Sequence, residues 1–359
     1  MNNNNNNNNN NNDNPFENKK KYLINIVLVI IIGLLTNISM AFFSDFKSII
    51  SILKNANYLI VLKAFLIYSL IYLIDVFRTK LVLRSMNFKI KFKDALYNSV
   101  SGYFIANLTP MASGGQPYQI YHLTKLGVDS KTSTNIIFSR LIEFLIFSTV
   151  TVLIFLKKIL EIMNGEFLGS KVLIIGLIAS MGITIFILSI FINPKIIYRT
   201  LHFLNKIFRF KRGKKLLENL ENWTDELRES ISFLWKERFL IVLIDFALGV
   251  LSAVFQTYAF FVVLTSLTGK NFDFFSLFLI FILLNFVIYY VPTPGSSGGV
   301  EGIYNMVLVG FVGTPHYVTA AIFLWRFTTY YLQIAFQIIV LLISRRKMNE
   351  SSRVDSNLQ

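Results

Sequence analysis

The chain reads as an all-α polytopic membrane protein with about six spanning helices and two re-entrant broken helices in inverted repeats. Three observations predict this. Hydrophobic residues make up 54% of its 359 residues, with 35 Phe and a mean hydropathy of +0.55, a composition that does not suit a soluble core. Apolar runs of about twenty residues, the length that crosses a bilayer, recur along it. The string Thr-Pro-x-x-Ser-Gly-Gly occurs twice, at Thr109, Pro110, Ser113, Gly114 and Gly115 and again at Thr293, Pro294, Ser297, Gly298 and Gly299.

In chain order, residues 1–21 hold an almost pure Asn tract, which cannot bury apolar surface and is expected to be a disordered tail. The transmembrane domain is expected over 22–346. Its first span is 22–43, preceded by Lys19, Lys20 and Lys21 and too long for a signal-peptide core. Further spans are expected at 58–77, 134–156, 171–193, 239–267 and 317–343. Two interrupted segments lie between them, 95–108 with 117–127 and 274–291 with 300–310. Pro and Gly at the breaks end the helices, and such backbone survives at membrane depth only where protein or a wet cavity surrounds it. Repeat A then covers about 58–193, a basic stretch 195–238, repeat B 239–343, and a tail 347–359.

Charge asymmetry sets the sidedness. Both termini in the cytoplasm place Lys19 to Lys21, the cluster Arg78, Lys80, Arg84, Lys89, Lys91 and Lys93, the basic stretch, and Arg345, Arg346 and Lys347 on one side. This holds only if the first interrupted segment enters and leaves from the cytoplasm and the second from outside. Inverted repeats with discontinuous helices are the build of alternating-access carriers.

The chemistry at mid-membrane centres on two arginines. Arg140 follows Pro110 by thirty residues and Arg326 follows Pro294 by thirty-two. Arg140 shares a helix face with Glu143, and Arg326 with Tyr330, Gln333 and Gln337. An arginine at the centre of a spanning helix costs roughly 2.5 to 3.5 kcal/mol on insertion scales, so each should meet a partner or a cavity. In the bland reading each pairs with a carboxylate, Glu143 or Glu301, and locks the bundle. In the functional reading the two hold an anion, a phosphate by shape, helped by helix starts near Pro117 and Glu301. Tyr118, Tyr121, Tyr289, Tyr290 and Tyr304 surround the tips as interface packing or cavity lining. Asp75 and Asp245 are placed near the cytoplasmic ends of their helices as interfacial carboxylates.

Cysteine is absent, and His122, His202 and His316 have no ligand spacing, so no metal site and no cofactor are expected. Gly295 to Gly299 matches G-x-S-x-G, the nucleophile motif of serine hydrolases, but without a strand-to-helix elbow or a nearby base. The basic stretch suits anionic lipid headgroups. A nucleic-acid partner rests on charge alone and is not expected.

Thr109 to Gly115 followed by Pro117, Tyr118, Tyr121 and Leu123, then Arg140 with Glu143, and Pro292 through Gly302 with Arg326 and Tyr330, resemble the lysylphosphatidylglycerol synthase transmembrane (flippase-like) family. The bacterial multiple peptide resistance factor belongs to that family. The likeness covers about residues 20–346. It implies a multi-pass protein of a prokaryotic cell membrane that handles phosphatidylglycerol or its lysyl form. The family name phosphatidylglycerol lysyltransferase refers to aminoacyl transfer by a separate soluble domain, for which residues 344–359 leave no room. The expectation is therefore a lipid translocator with the phosphate between Arg140 and Arg326, lined by Glu143, Glu301, Tyr304, Tyr330 and the two tips. A lysyltransferase working with a separate synthase subunit is the alternative, and an intramembrane serine hydrolase a remote one. A homo-oligomer is compatible with the sequence.

Overall fold

A computed structural model describes residues 46–162, 167–208, 213–288 and 299–356. The Asn tract, the expected first span 22–43, Tyr289, Tyr290, and Thr293, Pro294, Ser297 and Gly298 of the second tip lie outside these residues. Every regular element among the described residues is helical.

A short helix, α1 (Phe46–Lys54), leads to α2 (Leu59–Ser85). The first interrupted segment forms α3 (Phe92–Leu108) and α4 (Gly115–Lys125), followed by the spans α5 (Ser130–Ile162) and α6 (Phe167–Ile192). The basic stretch folds into α7 (Lys195–Phe208), α8 (Gly213–Ser232) and a π turn, Phe233–Glu237. Next come α9 (Phe239–Thr268), α10 (Phe274–Ile288), α11 (Gly299–Val312) and α12 (Pro315–Arg326), the last continued through a second π turn, Phe327–Tyr331, into α13 (Leu332–Ser356). Five helices among the described residues are long and apolar enough to cross a membrane: Leu59–Ser85, Ser130–Ile162, Ile174–Ile192, Phe239–Thr268 and Pro315–Ser344. Each overlaps an expected span. Gly269, at φ 64°, ends α9 with its N–H on the Thr265 carbonyl, a left-handed cap that costs glycine little.

The first interrupted segment is an antiparallel hairpin. Gly102 and Gly115 face each other across it, and further from the tip Asn98 Nδ2 donates to the Gln119 carbonyl at 2.9 Å. A Cβ on Gly115 would stand 2.8 Å from the Gly102 carbonyl oxygen and 2.9 Å from Ala106 Cβ. Gly115→Val is therefore expected to force the arms apart and cost about 1–3 kcal/mol of stability, read as a lower melting temperature in detergent. The second segment pairs in the same sense, with Phe272 against Phe311 and Phe281 against Tyr304.

The two hairpins enter from opposite ends of the bundle. α2 and α9 run antiparallel, because Arg78, late in α2, meets Asp245, early in α9. The first hairpin leaves the end where α2 stops, and α5 starts there too. The far end of α5 meets the beginning of α10, with Phe155 against Phe275 at 5.3 Å, so the second hairpin starts at the other end. Inversion follows from this geometry independently of charge counting.

Sequence reading missed the helices in the basic stretch and both π turns. Lys195 pairs with Asp225 at 2.8 Å between α7 and α8. α8 is held on α5 where Asn135 Nδ2 donates to the Ser230 carbonyl at 2.8 Å. Charge density hid this amphipathic pattern. At the second π turn the Thr328 and Thr329 hydroxyls both donate to the Trp325 carbonyl at 2.8 Å, engaging an acceptor beside the widened turn.

Candidate functional site

Two arginines and three carboxylates meet where α2, α5 and α9 pack together. α2 contributes Asp75 and Arg78, α5 contributes Arg140 and Glu143, each pair three residues apart and on one face, and α9 contributes Asp245. Arg78 donates from Nη2 to Glu143 Oε2 at 2.7 Å and to Asp245 Oδ2 at 3.1 Å, and from Nε to Asp245 Oδ1 at 2.9 Å. Arg140 donates from Nη1 to Asp75 Oδ1 at 2.8 Å. Its Nε lies 3.7 Å from Asp245 Oδ2, an ion-pair distance too long for a hydrogen bond. Gly249, one turn beyond Asp245, leaves room for the Arg78 guanidinium, which would sit 3.3 Å from a Cβ there.

This corrects three expectations. Asp75 and Asp245 are buried, not interfacial, and Arg78 belongs to the interior, not to the basic surface cluster. α2 continues past the expected residue 77 to Ser85, which keeps Asp75 and Arg78 inside the bundle. Glu143 pairs with Arg78, not with Arg140 on its own face.

Arg140 is the group left incomplete. Its side chain is 10% exposed, and its Nε and Nη2 are buried without a hydrogen-bond partner. These two nitrogens form one edge of the guanidinium, the edge that binds a carboxylate or phosphate with two parallel N–H bonds. A buried, unfilled donor of this kind costs stability unless something completes it. Asp75 Oδ2 is buried and unpartnered as well.

A cavity of about 320 Å³ opens beside Arg140, with Gln116 and Gln119 of α4, Tyr103 and Asn107 of α3, and Arg78 in its wall. A second cavity, about 270 Å³, lies toward α9 and α10, with Ser252, Gln256 and Asn285 in its wall. Asp75, Arg78, Tyr103 and Phe144 border both, so these side chains form the partition between the two spaces.

The first tip is compact. Thr109 Oγ1 accepts the Gly114 N–H at 3.0 Å and donates to the Ile105 carbonyl at 2.9 Å, and the Ser113 N–H reaches the Pro110 carbonyl at 3.1 Å. Met111 and Ala112 hold positive φ angles of 55° and 53°, uncommon for residues with a side chain. α4 begins at Gly115, which places Pro117 in its first turn. The face of α4 that meets the cavity is Gly115, Gln116 and Gln119. Tyr118 and Tyr121 are not in that wall; Tyr118 stacks on His122 at 6.4 Å, and Tyr121 is exposed. The spacing of Gln116 and Gln119 carried this information in the sequence.

Arg326 belongs elsewhere. Its Nε donates to Glu301 Oε1 at 2.9 Å, and its guanidinium lies 4.4 Å over the Tyr330 ring. Glu301 is fully buried in the first turn of α11, which Gly299 opens. Tyr304 is a core aromatic, stacked on Trp325 at 5.3 Å. The structure thus brings Arg140 together with Arg78 through Asp245, while Arg326 lines neither cavity. Tyr330 instead ties the repeats together: its hydroxyl donates to the Asn107 carbonyl at 3.0 Å, near the end of α3. Gln337 and Gln333 continue this tie, Gln337 Nε2 donating to Tyr72 at 2.8 Å and the Tyr72 hydroxyl to Gln333 Oε1 at 3.1 Å.

Comparison with known proteins gives a family and relatives of the same length class. The model of the family described as lysylphosphatidylglycerol synthase TM region matches residues 26–336. A UPF0104 membrane protein of Archaeoglobus fulgidus is 28% identical over 299 residues, covering 80% of this chain and 87% of its own. A UPF0104 membrane protein of Methanocaldococcus jannaschii is 22% identical over 339 residues, covering 90% of this chain and 96% of its own.

Proposed function

This chain belongs to the lysylphosphatidylglycerol synthase transmembrane-region family, and from that premise we propose that it translocates an anionic phospholipid, with the headgroup phosphate seated on Arg140. One observation carries the reading: the Nε and Nη2 edge of Arg140, buried without a hydrogen bond beside a cavity that a re-entrant hairpin builds. A phosphodiester supplies two acceptor oxygens at the spacing this edge needs. The Gln116 and Gln119 side chains offer further donors in the same wall.

The second cavity supports translocation over mere binding. Movement of the partition formed by Asp75, Arg78, Tyr103 and Phe144 would hand the headgroup from one space to the other while the acyl chains stay in lipid. Phosphatidylglycerol and its lysyl form are the substrates the family name points to. A headgroup with one net charge meets a membrane potential worth about 2.3 kcal/mol per 100 mV. The charge asymmetry described above favours cytoplasmic termini, and the family resemblance a prokaryotic cell membrane.

The test is exchange of fluorescent phosphatidylglycerol in proteoliposomes, read as the dye fraction an impermeant quencher reaches. The reading expects the chain to speed exchange at least tenfold over protein-free vesicles. Equal rates with and without protein would remove the translocator reading. A new amine-positive lipid in a host expressing this chain would instead favour lysyl transfer with a partner subunit.

A further inference from the structure

We propose that Asp75 makes this site proton-coupled: each phosphodiester that occupies Arg140 brings one proton onto the Asp75 carboxylate, and the two leave together. The inference rests on the anion reading of Arg140 and adds the coupling to it.

Asp75 depends on Arg140 for its hydrogen-bonded cation. Its Oδ1 accepts from Arg140 Nη1 at 2.8 Å, and its Oδ2 is buried with no partner. Arg78, one turn away on the same helix, directs its hydrogen bonds to Glu143 and Asp245. The other titratable groups gathered around the partition are Tyr103 from α3, Glu143 from α5 and Asp245 from α9. α4 and α10 add only the neutral Gln116, Gln119 and Asn285. Among the described residues no further cation borders either cavity.

A phosphodiester on the Nε and Nη2 edge of Arg140 draws on the same positive charge that Asp75 Oδ1 meets through its hydrogen bond from Nη1. The cluster already sets three carboxyl groups against two guanidiniums, and the arriving anion adds one more negative charge. One proton restores the original balance. Uncompensated charge is costly in a buried site, so the anion and the proton favour one another. Glu143 and Asp245 each accept a hydrogen bond from Arg78, whereas Asp75 takes its hydrogen bond from the guanidinium that the phosphodiester recruits, and on that difference the proton is assigned to Asp75. Protonated, its carboxyl gains a donor to offer the phosphate. Asp75 also borders both cavities, so the proton has a route in from one and out to the other. A singly charged lipid then crosses with its proton as a neutral pair, driven by a pH gradient and indifferent to voltage.

The experiment is calorimetric titration of the full-length chain in detergent with dihexanoyl phosphatidylglycerol, in two buffers of different ionisation enthalpy. The result expected is uptake of one proton per lipid bound, with affinity falling about tenfold for each pH unit over the range where that uptake is complete. Asp75→Asn should bind the lipid with no proton uptake and a flat pH profile. Should that variant fail to fold, the pH slope of the wild type decides. Binding with equal enthalpy in both buffers and no pH slope overturns the coupling and leaves the anion reading standing, and proton uptake that persists in Asp75→Asn overturns the assignment of the proton to Asp75. No binding overturns both. The tail-less glycerophosphoglycerol forms a second arm: uptake of a proton with this probe alone supports the coupling and assigns the site to soluble phosphodiesters.

Discussion

Replacing Arg140 with Gln and Asp75 with Asn together is expected to leave a folded chain that no longer exchanges anionic lipid. The pair is chosen because Arg140→Ala alone would strand the Asp75 carboxylate, and breaking one side of a buried ion pair costs about 3–5 kcal/mol. Lost activity would then mean only lost fold. Gln and Asn keep similar shape and can hydrogen-bond each other, so the melting temperature should stay near wild type. The exchange rate should fall at least tenfold, to that of empty vesicles, because no guanidinium edge remains for the phosphate. Arg140→Lys should retain part of the activity, since an ammonium keeps the charge but lacks the planar fork. Wild-type exchange by a folded double variant would move the headgroup site away from Arg140.

The second large effect concerns stability. Arg326→Met alone is expected to cost about 3–5 kcal/mol, because it leaves Glu301, fully buried, as a carboxylate without its 2.9 Å partner. Combining it with Glu301→Leu should recover most of that loss, since well-packed apolar residues commonly replace a buried ion pair at little cost. Trp325 and Tyr304 provide aromatic surroundings close by. Thermal unfolding of the single and double variants reads the difference. The double variant should also keep lipid exchange, which separates Arg326 from the headgroup site. A folded double variant without exchange would restore the two-arginine clamp that the sequence suggested.

Much of the architecture was legible because its signals are local. Length and hydropathy located α2, α5, α6, α9 and the α12–α13 rod within a few residues at most boundaries. Pro110, Ser113, Gly114 and Gly115 marked the first tip through backbone preferences that need no tertiary context. The spacing of Arg140 and Glu143 was also visible, yet it suggested a pair on one helix. Glu143 found Arg78 instead, a partner on another helix. Arg78 itself was hidden among surface lysines and arginines, because counting charge along one strand of sequence does not distinguish the last buried turn from the first wet one.

What the sequence determined by itself is the class and the repeat: an apolar helical membrane protein with duplicated Pro-Gly tips, each followed by an intramembrane arginine. Burial of apolar residues and the local rules for breaking a helix are enough for that. Only the tertiary structure decided which charges meet. It gave Arg326 to Glu301 and joined Arg140 to Asp75, Asp245 and Arg78 at one partition between two cavities. The reason is physical: a buried charge is satisfied by whichever partner packing brings within about 3 Å, and that distance is set by how helices far apart in sequence cross.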